Sequence, residues 1–214
     1  MSRFDDLVAS LCPGGVEFCP LSDCLDYEQP SKYLVKSTNY DERYDTPVLT
    51  AGQTFTLGYT DETEGVYPAS ADDPVVIFDD FTTAFKWVDF PFKAKSSAMK
   101  MLTAKPGGVV SLRYAWYAMQ TTSYAPQDHA RQWIGTYSQF RIPVPPMEIQ
   151  DEVVRTLDLF ISLDAELERE RDARRRQFAH YRDALLAFAD DNEAEWTTLV
   201  LQQRPEIFGS ASIM

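Results

Sequence analysis

Apolar residues in the last third of the chain recur at alternating steps of three and four: Ile149, Val153, Leu157, Phe160, Leu163 beside Asp164, Leu167, then Phe178, Tyr181, Leu185 and Phe188. That spacing marks a helix that buries one stripe. No Gly or Pro interrupts it after Pro146. Pro145 and Pro146 favour an extended entry and a helix start. Glu148, Asp151 and Glu152 place acidic charge in the first turns, where the helix dipole favours it. The pattern predicts a helix over 149–187, roughly 58 Å long at about 1.5 Å per residue. Between Leu167 and Phe178 the stripe lapses into Glu168-Arg169-Glu170-Arg171-Asp172-Ala173-Arg174-Arg175-Arg176. Alternating charge of this kind gives either a solvated, internally ion-paired face or a docking surface for another protein.

Upstream, the period changes. Phe4, Leu7, Val8 and Leu11 fit one face of a short helix ended by Cys12-Pro13-Gly14-Gly15, and Val16-Glu17-Phe18 reads as a brief strand. Residues 46–103 are mostly β in pattern: Thr46-Pro47-Val48-Leu49, Phe55-Thr56-Leu57-Gly58-Tyr59, Phe85-Lys86-Trp87-Val88-Asp89-Phe90 and Met99-Lys100-Met101-Leu102-Thr103. Pro74-Val75-Val76-Ile77-Phe78 is a continuous apolar run, hence a buried strand. Residues 111–121 look helical, with Leu112, Ala115, Trp116 and Met119 on one face. The expected class is α+β: a mixed, mainly β domain over 1–145, a long helix over 146–190, and a tail over 191–214. Val16-Glu17-Phe18-Cys19-Pro20-Leu21 has a weak echo in Ala194-Glu195-Trp196-Thr197-Thr198-Leu199, either chance or the opening of a second, undeveloped repeat.

Charge sharpens this picture. The chain of 214 residues carries a net charge of −13, which opposes binding to a polyanion. The charge is segregated, however: residues 1–85 carry −12, residues 86–145 carry +6, and residues 146–214 carry −7. A basic block inside an acidic chain is compatible with one DNA-facing surface. No apolar run approaches the ~20 residues that cross a bilayer. The start, Met1-Ser2-Arg3-Phe4-Asp5-Asp6, lacks the order of a secretion signal, so a cytoplasmic location is expected. Cys12, Cys19 and Cys24 form no C-x-x-C pair and read as reduced thiols, not as metal ligands.

Catalytic constellations are not found in the sequence. Base methylation would require a Gly-rich cofactor loop and an Asn/Asp-Pro-Pro-aromatic motif, whereas Gly107-Gly108 is isolated and Pro145-Pro146 lies between Val144 and Met147. Asp72-Asp73 and Asp79-Asp80 lack a following Glu-x-Lys pair and read as turn and strand-end residues, with Asp79 or Asp80 accepting from a cytosine amino group as the lesser alternative. Lys86, Lys93, Lys95, Lys100 and Lys105 are spaced among Trp87, Phe90 and Phe92; they form either a solvated ribbon face or a set of phosphate contacts. Gln127, His129 and Arg131 either occupy a plain loop or approach base edges, where Gln and Arg make bidentate contacts.

Three segments carry a family likeness: Ile142-Pro143-Val144-Pro145-Pro146-Met147-Glu148-Ile149-Gln150, Leu157-Asp158-Leu159-Phe160, and residues 174–188 with Gln177-Phe178-Ala179-His180-Tyr181 at their centre. Together they resemble the conserved region of type I restriction-modification specificity subunits. The likeness continues more loosely through Tyr67-Pro68-Ala69-Ser70 and Ile77-Phe78-Asp79-Asp80-Phe81-Thr82. The resemblance implies a half-length form, with one target recognition domain followed by one conserved helix. It implies a non-catalytic chain that reads one part of a bipartite site in double-stranded DNA. It further implies recruitment of a methyltransferase subunit carrying S-adenosylmethionine, and of a restriction subunit using ATP. The helix, through Ile149, Val153, Leu157, Phe160, Leu167, Phe178, Tyr181 and Leu185, is expected to pair as an antiparallel coiled coil in a homodimer. The rival reading is a truncated module that binds the methyltransferase without reading DNA.

Overall fold

Two cores, one on each face of a central sheet, organise the described residues up to Asp158. The computed structural model describes residues 2–52, 54–126 and 130–187, and the chain divides after Asp158 into two units, Met1–Asp158 and Leu159–Met214. The first element, α1 (Arg3–Leu11), begins with a capping box: Ser2 Oγ accepts the Asp5 N–H, and the Asp5 carboxylate accepts the Ser2 N–H at 2.8 Å. A turn closed by the Gly15 N–H to the Cys12 carbonyl follows, with Gly15 at φ +94°. That turn delays the first strand, β1 (Phe18–Pro20), by two residues from its expected position. A short helix, α2 (Leu21–Cys24), then leads into β2 (Leu25–Glu28).

The next strands are β3 (Thr46–Leu49), β4 (Thr56–Thr60), β5 (Val75–Asp79), β6 (Phe85–Val88), β7 (Lys93–Ala94) and β8 (Met99–Ala104). They form an antiparallel sheet in the order β2-β8-β5-β6 and a three-stranded sheet in the order β4-β3-β7, whose β3–β7 pair is parallel. Alternation along β5 explains its uninterrupted apolar run. Val76 and Phe78 face one core with Leu102, Trp133 and Tyr137, while Val75 and Ile77 face the other with Leu49, Phe92 and Met101. A strand covered on both faces needs no polar positions.

Helix α3 (Leu112–Gln120) covers the first core. Its N-cap is Ser111, and Tyr114, Ala115, Ala118 and Met119 are buried. The buried face is rotated from the expected one, leaving Leu112 and Trp116 only partly buried. Strand β9 (Arg141–Pro143) pairs antiparallel with β1, Cys19 opposite Ile142, and Arg141 donates to the Phe18 carbonyl. The long helix, α4 (Met147–Leu186), has 40 residues, so about 60 Å of continuous helix. The molecule is therefore α+β, a mixed and mainly β domain followed by a long helix. Among the described residues, no helix is long and apolar enough to cross a membrane. The tail over 191–214 and its echo at 194–199 lie outside the described residues.

Among the described residues, only the start of α4 is packed. Ile149 is buried, and Val153 lies against the first core. Gln150 is fully buried: its Nε2 donates to the carbonyls of Val109 (2.6 Å) and Pro145 (2.9 Å), and its Oε1 accepts the Ser111 N–H. The expected single pairing stripe is thus two surfaces. Ile149 and Val153 are used inside the first unit, whereas Phe160, Leu167, Phe178, Tyr181 and Leu185 are exposed.

Candidate nucleic-acid interface

The basic block does not act as one surface. Lys93 is buried, with Nζ 2.8 Å from Glu62 Oε2 and 2.6 Å from the Glu64 carbonyl. Burial alone would raise the Glu62 carboxyl pKa, but hydrogen bonds from Lys93 and from the Ser37 and Lys36 N–H groups, together with the lysine charge, bring it down to about 2. Lys100 is equally enclosed, 2.9 Å from Asp80 Oδ2 and 5.7 Å from the centre of the Tyr27 ring. Neither lysine is placed to meet a phosphate, and that expectation is corrected for both. An ammonium held in the core by a carboxylate is part of the packing, since an unpaired buried charge costs several kcal/mol.

The other expected residues lie nearer the surface. Lys95 is exposed, its Nζ 3.1 Å from the Tyr40 hydroxyl, and Lys86 and Lys105 are half-buried. Arg131 is about half exposed, while Gln127 and His129 lie outside the described residues.

Around Lys100 the chain builds a polar hub that joins three loops. Asp80 is fully buried, and its Oδ1 accepts the Trp133 N–H at 2.8 Å. Its own N–H donates to the Ala98 carbonyl, and its carbonyl accepts the Gln132 N–H at 2.8 Å. Arg131 Nη1 sits 3.7 Å from Asp80 Oδ2 and 3.5 Å from the Ser97 carbonyl. One aspartate therefore ties together the β5–β6 turn, the segment between β7 and β8, and the segment leading to Trp133. Its neighbour Asp79 acts differently, accepting the Phe81 and Thr82 N–H groups as a turn residue. The cytosine-acceptor alternative for Asp80 is displaced, because its side chain is buried and paired with Lys100.

A second cluster fastens α4 to α3. The Arg113 guanidinium lies 4.5 Å from the ring centres of both Trp87 and Trp116. Its Nη2 is 2.6 Å from Asp158 Oδ1, which also accepts the Tyr117 hydroxyl at 2.5 Å. Burial opposes ionisation of Asp158, yet the hydrogen bonds from Arg113 and Tyr117 hold its carboxyl below the ordinary value. Burial first, and then the same hydrogen bond, push the Tyr117 phenol up to about 12. Arg113 is thus occupied in joining two helices.

No family model matches the chain. It is 53% identical over 193 residues, 86% of its length, to the type I restriction enzyme EcoR124I/EcoR124II specificity subunit of Escherichia coli. The chain is a relative of the type I specificity subunits. It spans about half of the curated relative it matches, 47% of that protein. Its fold is similar to the crystal structure of the type I restriction-modification specificity subunit from M. genitalium, with a TM-score of 0.59 at 14% identity, covering 88% of this chain and 50% of that one. A chain from a structure describing complex assembly and conformational transition of a type I system gives a TM-score of 0.52 at 13% identity, with 86% and 49% covered. The specificity-subunit fold accounts for a mainly β domain followed by a long helix.

In this specificity-subunit relative, sequence reasoning read Asp80 as a turn or base-contact residue and gave no role to Arg113 or Gln150. Two of the three left a signal. Along β5 the alternation Val76, Phe78, Asp80 keeps to the core face, and Lys100 stands opposite Phe78 in register, so opposite charges were due to meet inside. Arg113 precedes Trp116 and Tyr117 by three and four residues on one helix, the spacing at which side chains touch. For Gln150, the partners are backbone carbonyls from distant loops, which no local pattern announces.

Proposed function

We propose that the chain is a sequence-specificity subunit of a type I restriction-modification complex, one target recognition domain over 1–145 and one conserved helix over 146–190. The observation that carries this reading is the 53% identity to the EcoR124I/EcoR124II specificity subunit across 86% of the chain. The chain itself is non-catalytic and cytoplasmic. It reads double-stranded DNA and recruits a methyltransferase subunit carrying S-adenosylmethionine, to which a restriction subunit using ATP adds. Two copies pair through the exposed residues of α4 as an antiparallel coiled coil.

The rival, a module that binds the methyltransferase without reading DNA, is favoured by two observations. Residues 1–85 carry −12, and Lys93 and Lys100 are spent internally. The deciding experiment is co-purification with the methyltransferase followed by sequencing of methylated DNA. Recognition predicts methylation confined to one sequence; methylation without any sequence preference would leave only the rival. Within the complex, Lys95→Glu is expected to weaken binding to all sequences alike and to lower the salt slope by about one per lost phosphate contact. Salt titration of binding checks this.

A further inference from the structure

Asp80 holds one negative charge between two cations. Lys100 approaches to 2.9 Å and is fully buried; Arg131 approaches to 3.7 Å with its side chain 49% exposed. Lys100 alone neutralises the carboxylate within the core, so the guanidinium is not needed there for charge balance. What Asp80 and the Ser97 carbonyl do give Arg131 is a preferred orientation: Nη1 is drawn toward both, while the side chain stays about half exposed. The ground under it is rigid, since Asp80 also takes the backbone N–H groups of Gln132 and Trp133, and Trp133 packs on Phe78 with ring centres 5.0 Å apart. Residues next to the hub in the chain expose apolar surface at loop tips, Phe81 (39%) and Ile134 (60%). Exposed apolar side chains on the loops that the hub joins suit a groove floor, where thymine methyls and base edges are met.

We propose that Arg131 reads a guanine edge in the target, and that Asp80 is the positioning residue that orients its guanidinium. The inference rests on the recognition reading above and deepens it: the half-site contains at least one guanine, contacted through O6 and N7 by an arginine fork held from behind. A flexible arginine neutralising a phosphate would need no buried carboxylate. An arginine that must discriminate one base gains from being immobilised before DNA arrives.

The test uses the full chain with its methyltransferase and a pool of randomised duplexes, sequenced after methylation. The wild type should prefer guanine at one half-site position about ten- to a hundred-fold. Arg131→Lys keeps the charge beside Asp80 but loses the fork; it should flatten preference at that position and leave the other positions unchanged. Asp80→Asn with Lys100→Met replaces the buried ion pair by neutral groups and keeps an acceptor for the Trp133 N–H. It should melt like the wild type and loosen the same position. Should that double variant fail to fold, nitrogen NMR of the wild type decides the positioning role: slow rotation of the Arg131 guanidinium supports it, free rotation overturns it. Unchanged guanine preference in Arg131→Lys, or equal weakening at every sequence with a lower salt slope, would overturn base reading. A wild-type complex with no sequence preference would instead sink the recognition reading, and this inference with it.

Discussion

Glu62 and Lys93 show what a single charged residue contributes to this fold. The carboxyl is depressed to about 2 against an ordinary value of about 4.3. A group depressed on folding binds fewer protons in the native state, so its contribution is complete above pH 4.3 and is lost as pH falls through about 2. Glu62→Gln should therefore flatten the stability profile between those limits, measured by urea unfolding at a series of pH values. At pH 7 the same variant leaves Lys93 buried without its carboxylate and should cost about 3–5 kcal/mol. Adding Lys93→Met should restore most of that loss; an unaltered acid profile would show that the pair is not coupled to folding. The sequence registered Lys93 and Lys100 only as members of a basic block, because charge counting does not see burial. Alternation along their strands carried the missing information for Lys100, whose neighbours Met99 and Met101 face one core while it faces the other. Lys93 sits on a two-residue strand, too short for any period to place it.

Secondary-structure elements were more legible than individual side chains, and α4 shows both the reach and the limit of pattern. Its start behind Pro145-Pro146 and its uninterrupted run follow from composition and spacing, and the helix spans Met147–Leu186 against an expected 149–187. Its division was not legible, because Ile149 and Phe160 lie on the same helix face and differ only in what surrounds them. The loop before α3 and the buried Gln150 claim the first turns, and the Arg113–Asp158 pair marks where that packing stops. The two parts should respond differently to substitution. Ile149→Ala should lower the melting temperature by removing about 2–5 kcal/mol of packing, with no change in mass by light scattering. Leu167→Asp or Phe178→Asp, at exposed positions, should leave the first unit's melting intact and convert a dimer to a monomer. Such side chains contribute roughly 1.5–3 kcal/mol each when covered, so removing one seam residue in each copy is decisive for a short contact. A wild type that scatters as a monomer at micromolar concentration, with or without the methyltransferase, counts against pairing altogether.

At the scale of the whole assembly, symmetry carries the strongest consequence. This chain matches about half of the curated relative, and in the proposed homodimer a second copy stands where the relative's other half does. Two copies of one recognition domain, paired by antiparallel helices, present the same surface twice about a two-fold axis. Protein symmetry then imposes inverted, matching half-sites, so the target should be an interrupted palindrome. In that dimer the gap would be set by helix length: about 60 Å of α4 gives an upper bound near 17 base pairs, and domains leaning inward over the duplex would bring the centre-to-centre spacing toward one turn of DNA, about 10 base pairs. Inserting seven residues into the exposed part of α4 adds about 10.5 Å and turns the helix by only about 20°. In a dimer lengthened by one heptad in each copy, the gap should widen by about three base pairs while the half-sites stay the same. Methylation mapping of the wild type and the insertion variant reads both outcomes. An asymmetric bipartite site would reject the homodimer and point to pairing with a different half; an unchanged gap would mean that some contact other than α4 sets the spacing.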